Sequence, residues 1–313
     1  MANREQYDLI IIGGGAGGLS AAIYALRASM RTLLIEQTAP GGQMNLTDAV
    51  ENYPGFENIS GFELSQKFMQ HAMAYNVEII TDEVSALEPG LPVHTVKLAG
   101  GDTLKSHAVI LATGGSPRKL EVPGEDTYYG KGVSYCGVCD GFFFRNKTVV
   151  VVGGGDTAVE EALYLAKLAT KVYLVHRRDE LRASMILQQR VKAEEKIELV
   201  WNKVVDTILA EDGNVTAVEL SDTQGGGTSR LETDGVFIFI GFEPNVDLVP
   251  AGTKMNADRY VVTDDKCETN IPGIFAIGDL REKYAKQIVL SAADGCTAAL
   301  AAAHYVETRR AME

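Results

Sequence analysis

DLIIIGGGAGGLS, residues 8–20, decides the architecture. Asp8 to Ile12 is a short, almost wholly apolar run, as expected of a strand buried on both faces. It passes directly into Gly13, Gly14, Gly15, Ala16, Gly17 and Gly18, after which Leu19 to Ala28 reads as a helix. Residues 148–160, TVVVVGGGDTAVE, repeat the arrangement, with Gly153, Gly154, Gly155, Asp156, Thr157 and Ala158 leading into the helical EEALYLAKLA. In each copy the first glycine makes a tight turn, the second lets backbone approach a pyrophosphate, and the last small residue lets helix pack on strand. The helix start then turns unpaired amides toward phosphate oxygens. One such turn is weak evidence. Two copies, each between strand and helix, predict two dinucleotide sites lined by Gly13, Gly15, Ala16 and Gly18 in one half and by Gly153, Gly155, Asp156, Thr157 and Ala158 in the other.

A second echo follows the same order. Ala108 to Gly114 (AVILATG) and Gly235 to Gly241 (GVFIFIG) are apolar runs ending in glycine, each expected to close the sheet of its half. The expected fold is therefore α/β, with two Rossmann-like domains of three layers.

The two sites differ in charge. Eighteen residues beyond Gly18 stands Glu36, and the same step beyond Ala158 reaches His176. A carboxylate there accepts from a ribose diol and repels a 2′-phosphate, which suits the adenosine of FAD or NAD. His176, Arg177 and Arg178, with Arg182 one turn on, reverse that preference, because guanidinium forks match a phosphate. The second site is expected to take NADPH.

Composition limits the partners. The 313-residue chain is 46% hydrophobic and 23% charged, as in soluble globular proteins, with a length that suits two domains. Its net charge of −13 disfavours nucleic acid and anionic membrane surfaces. No apolar run approaches a bilayer-spanning length and the first strand follows the N-terminus without a leader, so a cytoplasmic location is expected.

Cys136 and Cys139, in SYCGVCDGFFF at 134–144, admit three readings. Zinc needs four ligands, and the remaining cysteines, Cys267 and Cys296, stand alone without HxxxH or CxxC companions, so no metal is expected. As a staple, closing so short a loop contributes only about 1.9 kcal/mol. A redox pair fits best, since CxxC spacing brings two sulfurs within bonding reach and lowers one thiol pKa. Asp140 directly behind it is either a turn residue before Gly141 or the proton donor and acceptor that disulfide reduction requires.

GGGAGG at 13–18, PGGQM at 40–44, ENYPGF at 51–56, CGVCDGFFF at 136–144, GGGDTAVEEALYL at 153–165, HRRDELRAS at 176–184 and AIGD at 276–279 together resemble the low-molecular-weight, bacterial-type thioredoxin reductases. The resemblance runs from end to end. It implies a homodimer that binds FAD and NADPH and passes electrons from NADPH through FAD to the Cys136/Cys139 disulfide and on to oxidised thioredoxin. It implies that Cys139 faces the flavin, that Cys136 attacks thioredoxin, and that Asp140 is the acid/base group. Gly278 and Asp279 resemble the segment that holds the ribityl chain. Gln37, Gly42, Gln43, Asn52, Ala112, Thr113, Gly114, Lys286, Gln287 and Ile288 complete the expected cofactor-binding set, with a helix of about Ser291 to Thr308 starting near the flavin.

That placement makes the FAD domain discontinuous, residues 1–117 and 247–313, with an NADPH domain, 118–246, inserted and carrying the CxxC. The resemblance further implies that the inserted domain rotates on its two crossings. Phe142 and Phe143 either pack in its core or, by resemblance, dock the partner. Lys286 and Ala293 depart from the arginine and glycine common in the family. Two other readings stand beside this one. The same fold would serve a glutaredoxin-like or peroxide-defence carrier, or act as an oxidase; alternatively, the chain is a non-catalytic dinucleotide sensor with a structural CxxC.

Overall fold

The computed structural model describes residues 6–47 and 50–311. In chain order the elements are β1 (Gln6–Ile12), α1 (Ala16–Arg27), β2 (Thr32–Glu36), α2 (Gly61–Met73), β3 (Glu78–Thr81), β4 (Val84–Glu88), β5 (His94–Leu98), β6 (Thr103–Leu111) and β7 (Gly115–Pro117). There follow β8 (Val133–Ser134), α3 (Gly137–Asp140), β9 (Thr148–Gly153), α4 (Asp156–Ala166), β10 (Lys171–His176), α5 (Met185–Ala193), β11 (Ile197–Trp201), β12 (Lys203–Glu211), β13 (Asn214–Asp222), β14 (Thr228–Glu232) and β15 (Gly235–Phe239). The chain ends with β16 (Phe242–Pro244), β17 (Ile274–Ala276) and α6 (Ile288–Arg310). It divides into two compact units, Met1–Ser116 with Glu243–Glu313, and Pro117–Phe242. The chain crosses between them twice, and the crossing strands β7 and β16 pair as a two-stranded ladder.

In the first unit, β1 lies between β2 and β6, all parallel, and β3 extends the sheet beyond β2. The free edge of β6 is shared. Its polar-alternating first half pairs antiparallel with β5, and its last three residues pair parallel with β17. Alternation along the strands sends side chains to two cores. Leu9 and Ile11 join α1 and α6, while Ile10 and Ile12 join Leu33, Ile35 and the β4–β5 hairpin. Helix α6 approaches α1 closely because its inner face is small, with Ala298, Ala299 and Ala302 fully buried. A side chain on Gly295 would overlap the Gly17 carbonyl.

The second unit repeats the plan. β9 lies between β10 and β15, all parallel, with β11 and β8 at the edges. Val149 and Val151 pack with α4, and Val150 and Val152 pack with the antiparallel β12–β13–β14 sheet. Helix, parallel sheet and antiparallel sheet make the three layers. β6 and β15 hold equivalent places beside the first strand of each unit, as the sequence echo indicates.

Three boundaries differ from the sequence reading. α1 begins at Ala16, not Leu19, because tight contact with α6 favours the small residues of the glycine loop in helical conformation. α6 begins at Ile288, one turn before Ser291, where the Ser291 amide donates to the Gln287 carbonyl. The second crossing falls between Phe242 and Glu243, not after Val246. Asn245 is bound into the first unit by its amide to Gly114 O (3.0 Å) and its Nδ2 to Thr113 O (2.8 Å), and Val246 packs on the first unit's core.

Candidate functional site

At the first glycine turn, Gly13 has φ +107, a left-handed conformation that glycine adopts without strain. A side chain there would overlap Ala112 O, and one on Gly18 would overlap Gly13 O. Gly15 differs: nothing lies within 4 Å of where its Cβ would stand. Helix α1 starts there with no side-chain cap, so its first amides remain available to a ligand. Glu36, at the end of β2, accepts from the Gly14 amide through Oε2 at 2.6 Å and from the Thr38 amide through Oε1 at 3.1 Å. Gln37 beside it is exposed.

The other first-unit candidates cluster at the carboxyl ends of β1, β2, β6 and β17, the place where doubly wound sheets bind ligands. Gly41 ties its loop to the turn through Gly14 O at 2.8 Å. Gly42 and Gln43 follow in a short 3-10 helix, and Gln43 Nε2 donates to Gly115 O at 3.3 Å. Ala112, Thr113 and Gly114 leave the sheet after β6 and are half-buried. Asn52 Nδ2 donates to Gln287 Oε1 at 3.1 Å, joining residues far apart in sequence next to Ile288. Lys286 stacks its ammonium over the Tyr260 ring, 3.6 Å from the centroid.

Gly278 and Asp279 form a 3-10 turn after β17, with Gly278 at φ +67. Asp279 Oδ1 is buried without a hydrogen-bond partner and lies 3.5 Å from Lys283 Nζ. The open space at Gly15, the uncapped α1 and this orphaned carboxylate oxygen fit a bound FAD on the first unit. Sequence reading missed the charged residues behind the turn, Arg281, Lys283 and Asp294, because their pairing depends on α6 folding back. Cys267, which stands alone in the sequence, meets the same cluster. The thiol is fully buried, yet Arg281 Nη1 lies 3.2 Å from its Sγ. Burial nonetheless pushes the Cys267 thiol up to about 11. Cys296 is half-exposed.

The second turn has the same design. Gly155 has no atom within 4 Å of its missing Cβ, and α4 starts without a side-chain cap. Ala158 is buried beneath the turn and Thr157 is exposed. Asp156 serves the protein itself, accepting from the Ser184 amide at 2.6 Å. The Arg182 and Ala183 amides both donate to Gly154 O, at 2.7 and 3.1 Å, so the arginine loop is fastened to the glycine turn.

His176 lies deeper than the arginines that follow it. Its ring is buried against Gly154, where a Cβ would overlap it, and stands edge-on to Trp201 at 6.4 Å. Burial first, then the charges of Arg182, Arg177 and Arg178, hold the imidazole below its ordinary pKa. The buried ring supports the turn from behind, and its Nε2 has no hydrogen-bond partner. Arg177, Arg178 and Arg182 are exposed, and their guanidinium groups meet no side-chain partner among the described residues. They remain available to a 2′-phosphate.

Cys136 and Cys139 are joined in a disulfide. Cys136 is the N-cap of α3, and its Sγ accepts from the Cys139 amide at 3.1 Å. Buried Ser134 clamps Cys136 from both sides, its Oγ accepting from Cys136 N (3.0 Å) and donating to Cys136 O (3.1 Å). Upstream, Tyr135 OH donates to the buried Glu125 at 2.7 Å, whose carboxylate also accepts from the Leu120 and Glu121 amides at 2.8 and 2.6 Å. Burial and this acidic partner raise the phenol's pKa. Ser134, Tyr135 and Glu125 carry no motif and were not legible in the sequence. Asp140 is half-buried.

Phe142 and Phe143 are 64% and 68% exposed, which excludes core packing, whereas Phe144 is core and meets Phe237 edge-on at 5.1 Å. Among the described residues no group of three or more His, Cys, Asp or Glu is placed to hold a metal ion, and no helix is long and apolar enough to cross a membrane.

Comparison with known proteins agrees with this geometry. Residues 7–295 match the family model of the pyridine nucleotide-disulphide oxidoreductases. The thioredoxin reductase of Bacillus subtilis is 48% identical over 98% of this chain and 97% of its own, and that of Treponema pallidum is 45% identical over 97% and 99%. The solved structure of Lactococcus lactis thioredoxin reductase superposes with a TM-score of 0.94 at 43% identity, covering 96% of this chain and 99% of its own. The chain therefore belongs to the pyridine nucleotide-disulphide oxidoreductases and, within them, to the family of bacterial thioredoxin reductases.

Proposed function

We propose that the chain is an NADPH-dependent flavoprotein disulfide reductase whose acceptor is oxidised thioredoxin. The observation that carries this reading is the bonded Cys136–Cys139 pair in a chain that also holds two dinucleotide turns of opposite charge preference. The first unit is the FAD domain and the second the NADPH domain. FAD, held at the first glycine turn and by Asp279, would supply two-electron chemistry between NADPH and a disulfide.

The chain's residues do the rest. Cleaving the Cys136–Cys139 bond to two thiols takes up the electron pair and two protons. The hydride accounts for one proton, and Asp140 delivers the second from solvent. The Cys139 amide directed at Cys136 Sγ favours negative charge on that sulfur, which supports Cys136 as the attacking thiolate. Its attack gives a mixed disulfide with thioredoxin. Cys139 then displaces thioredoxin from it by attacking Cys136, re-forming the intrachain bond and releasing thioredoxin with two thiols. The exposed Phe142 and Phe143 supply an apolar docking surface beside the pair.

By the family's pattern the inserted domain would rotate on its two chain crossings, at β7 and β16. The protein works as the family's homodimer. Its setting is the cytoplasm, since four cysteines in 313 residues make no secreted disulfide framework.

The test follows NADPH oxidation with an aromatic disulfide acceptor, with and without the cognate thioredoxin. Strong dependence on thioredoxin is expected. Turnover with a glutaredoxin-like carrier alone would replace the acceptor, and a yellow protein without turnover would reduce the chain to a sensor.

A further inference from the structure

Asp279 and three charged side chains behind its turn form a cluster that neither glycine loop requires. Asp294, in the second turn of α6, accepts from the Gly278 amide through Oδ2 at 3.0 Å and from Arg281 Nη1 through Oδ1 at 2.9 Å. Its Oδ2 also lies 3.5 Å from Lys283 Nζ. Lys283 donates to Ser291 Oγ at 3.3 Å and stands 3.5 Å from Asp279 Oδ1. The group is withdrawn from water: the side chains of Lys283, Asp294 and Arg281 are 9%, 13% and 17% exposed, against 32% for Asp279. Two carboxylates balance two cations, so loss of any member leaves an uncompensated charge in a poorly solvated place.

We propose that Asp294 is a positioning residue for the flavin: through the Gly278 amide and the Arg281 and Lys283 cations it fixes the direction in which Asp279 presents its carboxylate to the ribityl hydroxyls. The inference rests on the reading of Asp279 as the ribityl-binding residue. Gly278 opens the turn in the left-handed region, and the acceptor that ties its amide down is supplied by α6. At 3.5 Å the Lys283 ammonium neutralises Asp279 without a short bond, and Oδ1 has no other partner. The oxygen is thus held in place with its accepting capacity unspent. A receptor group fixed before its ligand arrives binds more tightly than one that must be ordered.

The experiment uses the full-length chain, freed of flavin and titrated with FAD, reading the Kd from flavin fluorescence and Tm with and without FAD. Asp294→Asn and Lys283→Met are compared with Asp279→Ala. Both cluster variants are expected to weaken FAD binding about tenfold, the scale of one hydrogen bond to a charged group. The flavin-free Tm falls in both variants because a buried charge loses its partner, and the rise in Tm that FAD produces should shrink in addition. If Asp279→Ala leaves the Kd unchanged, the ribityl reading itself fails. If Asp279→Ala weakens binding while Asp294→Asn and Lys283→Met keep the wild-type Kd, the positioning role is overturned. A fall in Tm that is equal with and without FAD, at unchanged Kd, would overturn it as well.

Discussion

Glu36 Oε2 accepts a 2.6 Å hydrogen bond from the amide of Gly14, placing a carboxylate at the mouth of the first nucleotide turn. At the matching place in the second unit, buried His176 backs Gly154 and exposed arginines follow it. One backbone plan thus carries opposite charge at two sites, and the proposed nucleotide preferences rest on those side chains.

Replacing Arg177 and Arg178 together by alanine should raise the KM for NADPH about tenfold or more, because each lost charge-assisted bond to a 2′-phosphate has that scale. The KM for NADH should barely move. Steady-state kinetics with both nucleotides check this, and equal changes would remove the phosphate assignment. His176→Asn should affect folding stability more than the NADPH/NADH ratio, since its ring is buried against the turn.

Gly18→Ala would drive a methyl into the Gly13 carbonyl. Overpacking at so constrained a junction should cost about 2 kcal/mol or more and lower both Tm and FAD content. Gly15→Ala meets open space instead, so stability should hold while FAD affinity falls. Thermal melts of flavin-free and flavin-loaded protein separate the two effects.

Glu125 is 2% exposed and accepts from Leu120 N, Glu121 N and Tyr135 OH. Glu125→Ala strands these donors and should cost about 2 to 4 kcal/mol in chemical denaturation, whereas Glu125→Gln keeps part of the network. Tyr135 adjoins Cys136, so the alanine variant should also slow thiol exchange.

His94 is buried, and burial, together with the charges of Arg309 and His107, lowers its pKa from 6.5 to about 4. Its Nδ1 accepts from the Gly90 amide at 3.3 Å, leaving the Nε2 proton buried without a partner. The unfolded chain therefore binds a proton that the native chain refuses. This contribution is complete above pH 6.5 and is lost as pH falls toward 4, amounting to about 2 kcal/mol between pH 7 and 5. Urea denaturation at both pH values should show that loss in wild type and a smaller one in His94→Gln.

Much of this was legible in the sequence for a physical reason. Strand, glycine turn and helix are local, and the backbone conformations at Gly13 and Gly153 exclude other residues, so the turns are visible without knowing what packs on them. The offset to Glu36 and His176 is one strand and one helix long, and equally local. What the sequence hid depends on distant segments meeting. Asp294 reaches Gly278 only because α6 returns to α1, and Glu125 engages Tyr135 only once the loop between them closes. The burial of His176 was not legible because the arginines beside it mask it in the sequence, whereas the pleat of β10 turns its ring inward and leaves them outside. The exposed pair Phe142 and Phe143 could not be told from Phe144 by composition alone.

The central claim is that electrons leave through the vicinal thiols. Its most direct test is an anaerobic reaction of Cys136→Ser with NADPH followed by oxidised thioredoxin, monitoring flavin colour and the thiols that form on thioredoxin. The account predicts that NADPH still bleaches the flavin while thioredoxin stays oxidised. Thioredoxin thiols forming at the wild-type rate would contradict it.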